Sequence, residues 1–257
     1  ILGNAPNIEK ITSIAKKKNI FLIEDTCEAL GSKYKSKFLG TFGDFGTYSF
    51  YYSHQITSGE GGMIVCDSKE DYEIIHSLRA HGWDRGLSKN TKKNKFNFIN
   101  SGFNLRPLDL TAAIGLSQFK RLKSMMNIRS TNRSNIINSL ENDNNWNNQF
   151  EFFKPNINVS PSWFGLPLLI KNFTITKKEK FIKYLNNKGI ETRPILSGNF
   201  LNQPSAKLYN LNKDRLTFKN SQFIEDKGFF IGLPTQIMTN KNLNFLGKTL
   251  MNIDKFK

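Results

Sequence analysis

His54 lies in the run TYSFYYSHQITSGEGG (residues 47–62), between an aromatic-rich segment and a glycine-rich turn that carries Glu60. An imidazole exchanges protons near neutrality, since its ordinary pKa is about 6.5, so His54 is a candidate acid–base group. The adjoining glycines would let main chain approach a ligand closely. Asp25 closes the apolar run NIFLIED, and ligands of open α/β sheets gather at the carboxyl ends of strands. A carboxylate there either caps a loop or helix or pairs with a cationic ring nitrogen. Between the two, KFLGTFGDFGTYSF spaces Gly40, Gly43 and Gly46 for tight approach to a sheet and leads into Ser49 and Ser53.

The elements that must position these groups are legible as periodicity. IEKITSIAKKK (8–18) places Ile8, Ile11, Ile14 and Ala15 on one helical face, with Asn7 as its N-cap. NIFLIED (19–25) reads as a buried strand, TYSFYY (47–52) and MIVCD (63–67) as further strands, and YEIIHSLRAHG (72–82) as a helix closed by Gly82. A helical pattern runs from Leu108 to about Leu140 with one break, and NDNNWNNQ (142–149) reads as a solvated loop. Beyond it the rhythm changes. SWFGLPLLI, IETRPIL and GFFIGLP are strand candidates, and KKEKFIKYLNNKG is a helix ending in glycine. The expected fold class is α/β, followed by a smaller α+β domain, with the division at 123/124.

Composition narrows the function. Lys and Arg total 37 against 21 Asp and Glu, a formal charge of +16. The basic residues are dispersed, as in KKK (16–18), KKNK (92–95) and KKEK (177–180), without a helix-turn-helix, zinc-finger or RNA-binding signature. Nucleic acid is therefore not the expected partner; a phosphate-bearing substrate uses positive charge equally well. No apolar run approaches the roughly 20 residues of a membrane span, and no targeting signal opens the sequence, so no membrane partner is expected and the cytoplasm is the default. Two cysteines, Cys27 and Cys66, suggest neither a disulfide framework nor a metal site.

Taken in order, IEDTCEALGSKY, GTFGDFGTYSFYYSHQITSGEGGMIVCDSKE, LRAHGWDRG, FNFINSGFNLRPLDLTAAIGLSQFKRL and GIETRPILSGNF resemble the DegT/StrS family of sugar-nucleotide aminotransferases. Those are pyridoxal-phosphate enzymes of fold type I, with a mixed, mostly parallel sheet, helices on both faces and a smaller α+β C-terminal domain. The resemblance implies that residues 1–123 are the C-terminal part of the large cofactor-binding domain and 124–257 the small domain. It also implies a segment ahead of Ile1, so the chain reads as an N-terminally truncated fragment.

Carried over by position, Asp25 matches the family's partner of the pyridinium nitrogen, and Glu28 stands where most members have glutamine beside the ring hydroxyl. Ser49 matches a phosphate-binding serine. Asn104 matches an asparagine that reaches the phosphate from a neighbouring subunit, which implies a homodimer with shared sites. His81 and Arg85, in RAHGWDR, are candidate substrate-side residues, and Arg193, in ETRP, a candidate to meet a phosphate or carboxylate; structural ion pairs or caps are the alternative for all three. His54 occupies the position of the lysine that holds the cofactor, and no lysine lies between Lys37 and Lys69. Histidine at this position is the mark of the family's sugar-nucleotide 3-dehydratase branch. One subtype of that branch carries an iron–sulfur cluster on four cysteines; with two cysteines the chain matches the cluster-free subtype, as does GNF (198–200). The resemblance thus implies pyridoxal or pyridoxamine phosphate as cofactor, with no iron–sulfur cluster or other metal. L-glutamate is the implied amino donor, and a nucleotide-linked 4-keto-6-deoxy sugar of dideoxysugar and O-antigen biosynthesis the implied substrate.

Overall fold

The computed structural model describes residues 1–87, 96–171, 174–211 and 214–256; the basic run KKNK at 92–95 lies outside the described residues. The chain runs α1 (Ile8–Lys18), β1 (Ile23–Asp25), β2 (Lys33–Tyr34), β3 (Lys37–Phe38), β4 (Phe45–Ser49), β5 (Gly62–Cys66) and α2 (Lys69–Leu78). Next come α3 (Asp109–Phe119), α4 (Leu122–Glu141), β6 (Phe150–Phe152), β7 (Val159–Ser160) and β8 (Gly165–Ile170). The last elements are α5 (Ile175–Asn187), β9 (Thr192–Arg193), α6 (Lys219–Lys227), β10 (Gly228–Gly232) and α7 (Asn240–Met251).

Two compact units result. The first holds Gly3–Lys123 together with Pro155–Ser162, and the second Ser124–Lys154 together with Trp163–Lys257. The excursion of 155–162 into the first unit differs from a single cut at 123/124. Its cause is strand pairing: β7 bonds β2, with Lys33 opposite Ser160 and Tyr34 opposite Val159.

In the first unit, α1 begins where the Asn7 side chain accepts the Lys10 N–H at 3.0 Å. It ends on Asn19 in the left-handed region (φ 51°), with Lys16, Lys17 and Lys18 at its negative end. The central sheet has the order β1-β4-β5; β1 runs parallel to β4 and β5 antiparallel to it. Its register sets Asp25 opposite Thr47 and Ser49 opposite Gly62. A small core of Ala5, Ile8, Ala29, Tyr34, Leu39 and Val159 packs nearby.

Several expected boundaries move. The strand expected at 19–25 shrinks to Ile23–Asp25, the residues that pair with β4, and Ile20, Phe21 and Ile23 are exposed rather than buried. The strand expected at 47–52 lies at 45–49, in register with β1 and β5, and that at 63–67 lies at 62–66. Helix α2 ends at Leu78 instead of at Gly82. Helix α3 is apolar on nearly every side, yet none of its residues is buried, and Leu110 and Leu116 are about two-thirds exposed.

The second unit is built on an antiparallel sheet of order β6-β8-β10-β9. Every residue of β8 is buried, so both of its faces are covered. Phe150, Phe181, Phe229, Leu140, Leu168 and Leu250 anchor its core. Thr174 caps α5, and the helix closes on Gly189 (φ 79°), with Gly189 N–H on Asn186 O and Ile190 N–H on Leu185 O. The strand expected over IETRPIL reduces to Thr192–Arg193, the only two of those residues that pair with β10. The asparagine-rich stretch is a loop, but not wholly solvated: Trp146 packs on the core and Gln149 is buried.

Candidate active site

Asp25 ends β1 with its carboxylate open to solvent. Its Oδ1 accepts the Cys27 N–H (3.2 Å) and the Thr47 hydroxyl (3.4 Å). The Cys27 thiol, the Cys27 N–H and the Thr47 hydroxyl together hold the carboxyl below its ordinary range, the thiol most strongly, against the opposing effect of burial. The same neighbourhood raises the Cys27 thiol, through burial first and Asp25 second, so Cys27 stays protonated and donates.

Glu24, the preceding residue, points the other way, as strand alternation requires. It is buried, and its carboxylate accepts Gly40 N–H (2.8 Å), Phe42 N–H (2.5 Å) and Gly43 N–H (2.8 Å). These bonds fix the glycine-rich turn ahead of β4. Tyr48 adds a bond to Leu39 O at 2.6 Å. Gly46 completes the fit: a Cβ there would stand 1.9 Å from Gly40 O. Sequence reading missed Glu24. Its signal was two adjacent carboxylates on a strand, one of which must turn inward, followed by a turn rich in free N–H donors.

Ser49 closes β4, and its Oγ accepts the Tyr51 N–H at 3.2 Å. The chain then leaves the sheet in a loop whose neck is tied by Phe50 N–H to Gly61 O and Ser58 N–H to Phe50 O, each 2.9 Å. His54 rides on this loop, half-buried, with its N–H on Tyr51 O (3.1 Å) and its ring edge-on to Tyr51 at 5.8 Å. Burial pushes its pKa below 6.5, and the charges of Glu28 and Asp25 oppose that shift. Asp25, Glu28 and His54 therefore share one electrostatic neighbourhood.

A second cluster joins His81 and Asn104. Ala80 bridges Asn104, and His81 N–H bonds Phe103 O at 2.7 Å. His81 itself is left-handed (φ 65°), followed by Gly82 (φ 81°). The two segments touch backbone to backbone: a Cβ on Gly82 would meet Asn100 O at 1.7 Å, and one on Gly102 would meet Gly82 N at 2.3 Å. Asn104 Oδ1 accepts from Arg106 at 3.4 Å, and Arg85 stacks over Trp83 at 5.1 Å. Arg193 belongs to the second unit, where it forms an exposed ion pair with Glu191 at 2.9 Å.

These residues suit pyridoxal phosphate by the chemistry of their donor set. An ionised, solvent-open carboxylate at a strand end matches a ring cation, a half-buried serine hydroxyl matches a phosphate, and an imidazole near neutrality matches proton transfer.

Comparison with known proteins sets this arrangement in a class. A structure of Escherichia coli GDP-4-keto-6-deoxy-D-mannose-3-dehydratase with bound hydrated PLP superposes with a TM-score of 0.83 at 31% identity, over 97% of this chain and 65% of that one. A structure of GDP-4-keto-6-deoxymannose-3-dehydratase with a trapped PLP-glutamate geminal diamine matches with a TM-score of 0.82 at 30% identity, over 97% and 66%. The fold is thus the α/β fold of pyridoxal-phosphate enzymes of this type. The model of the DegT/DnrJ/EryC1/StrS aminotransferase family matches residues 1–243, and the chain belongs to that family. In sequence it is 34% identical to Escherichia coli GDP-4-keto-6-deoxy-D-mannose 3-dehydratase over 242 residues, which is 90% of this chain and 61% of the relative. The chain therefore spans about three fifths of that relative's length. Among the described residues no helix is long and apolar enough to cross a membrane.

Proposed function

We propose that the protein binds pyridoxal phosphate without a covalent link and uses glutamate to remove the 3-hydroxyl of a nucleotide-linked 4-keto-6-deoxy sugar. GDP-4-keto-6-deoxy-D-mannose is the best candidate substrate. The observation that carries the reading is His54: a half-buried imidazole, its pKa lowered by burial, shares its surroundings with Asp25 and Glu28, and the sequence resemblance sets it at the family's lysine position. The hydrated cofactor named in the Escherichia coli structure supports it, because a hydrated aldehyde is not tied to a side-chain amine.

Bound here, the cofactor supplies an electron sink and a carrier for the amino group. Asp25 would hold the ring nitrogen, and its low pKa keeps it an anion at working pH. Glu28 would lie beside the ring hydroxyl and Ser49 on the phosphate. Asn104 would reach the phosphate of a second copy, which makes a homodimer with shared sites part of the proposal. His54, neutral at pH 7, takes the proton released at the reacting carbon and returns it, first for glutamate and then for the sugar. His81, Arg85 and Arg193 are the proposed sugar-nucleotide contacts. The redox balance closes: oxidation of glutamate to 2-oxoglutarate supplies the two electrons that replace C–O by C–H at the sugar, and ammonia and the 4-keto-3,6-dideoxy sugar leave.

The test is product analysis by mass spectrometry after incubating the protein with pyridoxal phosphate, glutamate and GDP-4-keto-6-deoxy-D-mannose. Loss of one oxygen with release of ammonia is expected; a 4-amino sugar would mean an aminotransferase, and no turnover a silent homologue. Borohydride should not fix the cofactor to the chain, and should do so in His54→Lys. His54→Asn should bind cofactor and turn over at least about a hundredfold more slowly. The acid limb of the rate profile should fall below pH 6.5, since a base whose folded pKa is depressed stays active until pH drops through that lower value.

A further inference from the structure

We infer that Gln55 is a positioning residue: its buried side chain ties the His54 loop to the main chain at Glu28 and Ser162, and so sets where the imidazole stands relative to Asp25 and Glu28. The inference rests on the role proposed for His54.

The loop from Phe50 to Ser58 contains no helix or strand. Its neck is hydrogen-bonded, but a neck alone leaves the tip free to pivot. At the tip, Gln55 is 1% exposed and Ile56 3%. Burying a primary amide is unfavourable unless it is bonded, and here Nε2 donates to Glu28 O (2.5 Å) and to Ser162 O (3.3 Å). The second acceptor is itself fixed. Ser162 N–H bonds Ser32 Oγ at 2.9 Å, and Ser32 Oγ–H bonds Gly3 O at 2.7 Å. Ser32 and Ser162 are both fully enclosed. The first acceptor lies in the turn that follows Asp25, where Ala29 N–H bonds Thr26 O and Ser32 N–H bonds Ala29 O, each 2.9 Å. One side chain thus spans from the residue after the imidazole to the backbone of one of the two carboxylate-bearing residues that act on it. Among the groups acting on His54 are the carboxylates of Glu28 and Asp25 and the Tyr51 ring. Burial has the largest influence on it, so a loosened loop gains water first and charge distance second.

The experiment is an NMR titration of the histidine Cε1–H signals. The chain has three histidines, and His54→Asn identifies the signal that belongs to His54. In the wild type His54 should titrate below free imidazole. In Gln55→Ala and in Gln55→Met, which keeps the length without a donor, its midpoint should rise toward the free value. In the same variants kcat for dehydration should fall tenfold or more while KM for the sugar stays within about twofold, as expected for a displaced reacting group. Asn132→Ala removes a comparable buried amide from the second unit and serves as the control, lowering the melting temperature without moving His54. An unchanged His54 midpoint in a folded Gln55→Met protein overturns the inference, and so does loss of folding in both Gln55 variants, which would make the residue a structural support only. If the wild type dehydrates no sugar, the proposed function fails while the titration still decides the role of Gln55.

Discussion

The two units solve the same problem with different materials. The second encloses a continuous apolar cluster: β8 is buried along its whole length, and Phe150, Phe181 and Phe229 meet at ring separations near 6 Å. The first has a small core and, among the described residues, buries almost as many polar side chains as apolar ones, including Glu24, Ser32, Gln55, Ser77 and Asp84. Its loops are held by side chains that accept or donate main-chain hydrogen bonds and by glycines packed against backbone. Apolar packing is non-directional and tolerates small shifts, whereas a carboxylate gripping three N–H groups fixes a turn in place. Apart from Arg193, the candidate residues sit in the unit built by the directional method.

That contrast can be broken at chosen points. Gly46→Ala should have the largest effect, because the new methyl would overlap Gly40 O and neither backbone can yield. A loss above about 4 kcal/mol is expected in denaturant unfolding, with hydrogen exchange fastest in β1, β4 and β5. Phe229→Ala attacks the second unit by its own means and should cost about 3–5 kcal/mol. Glu24→Gln leaves the shape nearly unchanged but turns an amide group toward main-chain donors; roughly 2 kcal/mol should be lost, with cofactor affinity falling alongside. Gly232→Ala should be the smallest, within about 0.5 kcal/mol by thermal melting, since open space surrounds that position. A large effect there would contradict the open space around Gly232, in contrast with Gly228, where a Cβ would stand 2.5 Å from Ile224 O.

What could be read from sequence divides instead between local signals and long-range pairing. Helix α1, its Asn7 cap and the glycine closure of α5 rest on local signals and stand where periodicity puts them. Strand limits depend on partners far along the chain, which is why NIFLIED contributes only three paired residues and β7 rejoins the first unit. Asp25 and His54 could be named as candidates because one closes an apolar run and the other is a titratable side chain ahead of a glycine-rich turn, while Ser49 draws its role from the family resemblance. Glu24 and Gln55 are harder to single out, because a buried polar residue looks like a solvated one until its hydrogen-bond partners are known. Gly82 misled for a related reason. Glycine after a helix pattern signals a cap, and only the closeness of Asn100 reveals its other use.

The paired close approach at Gly82 and Gly102 also constrains how this protein can change over generations. Neither position accepts a side chain without forcing two backbone segments apart, so each constrains the other. Mutational drift is left to the exposed side chains these segments carry, His81, Arg85 and Asn104 among them. Substitutions at those exposed side chains therefore leave the frame beneath them in place.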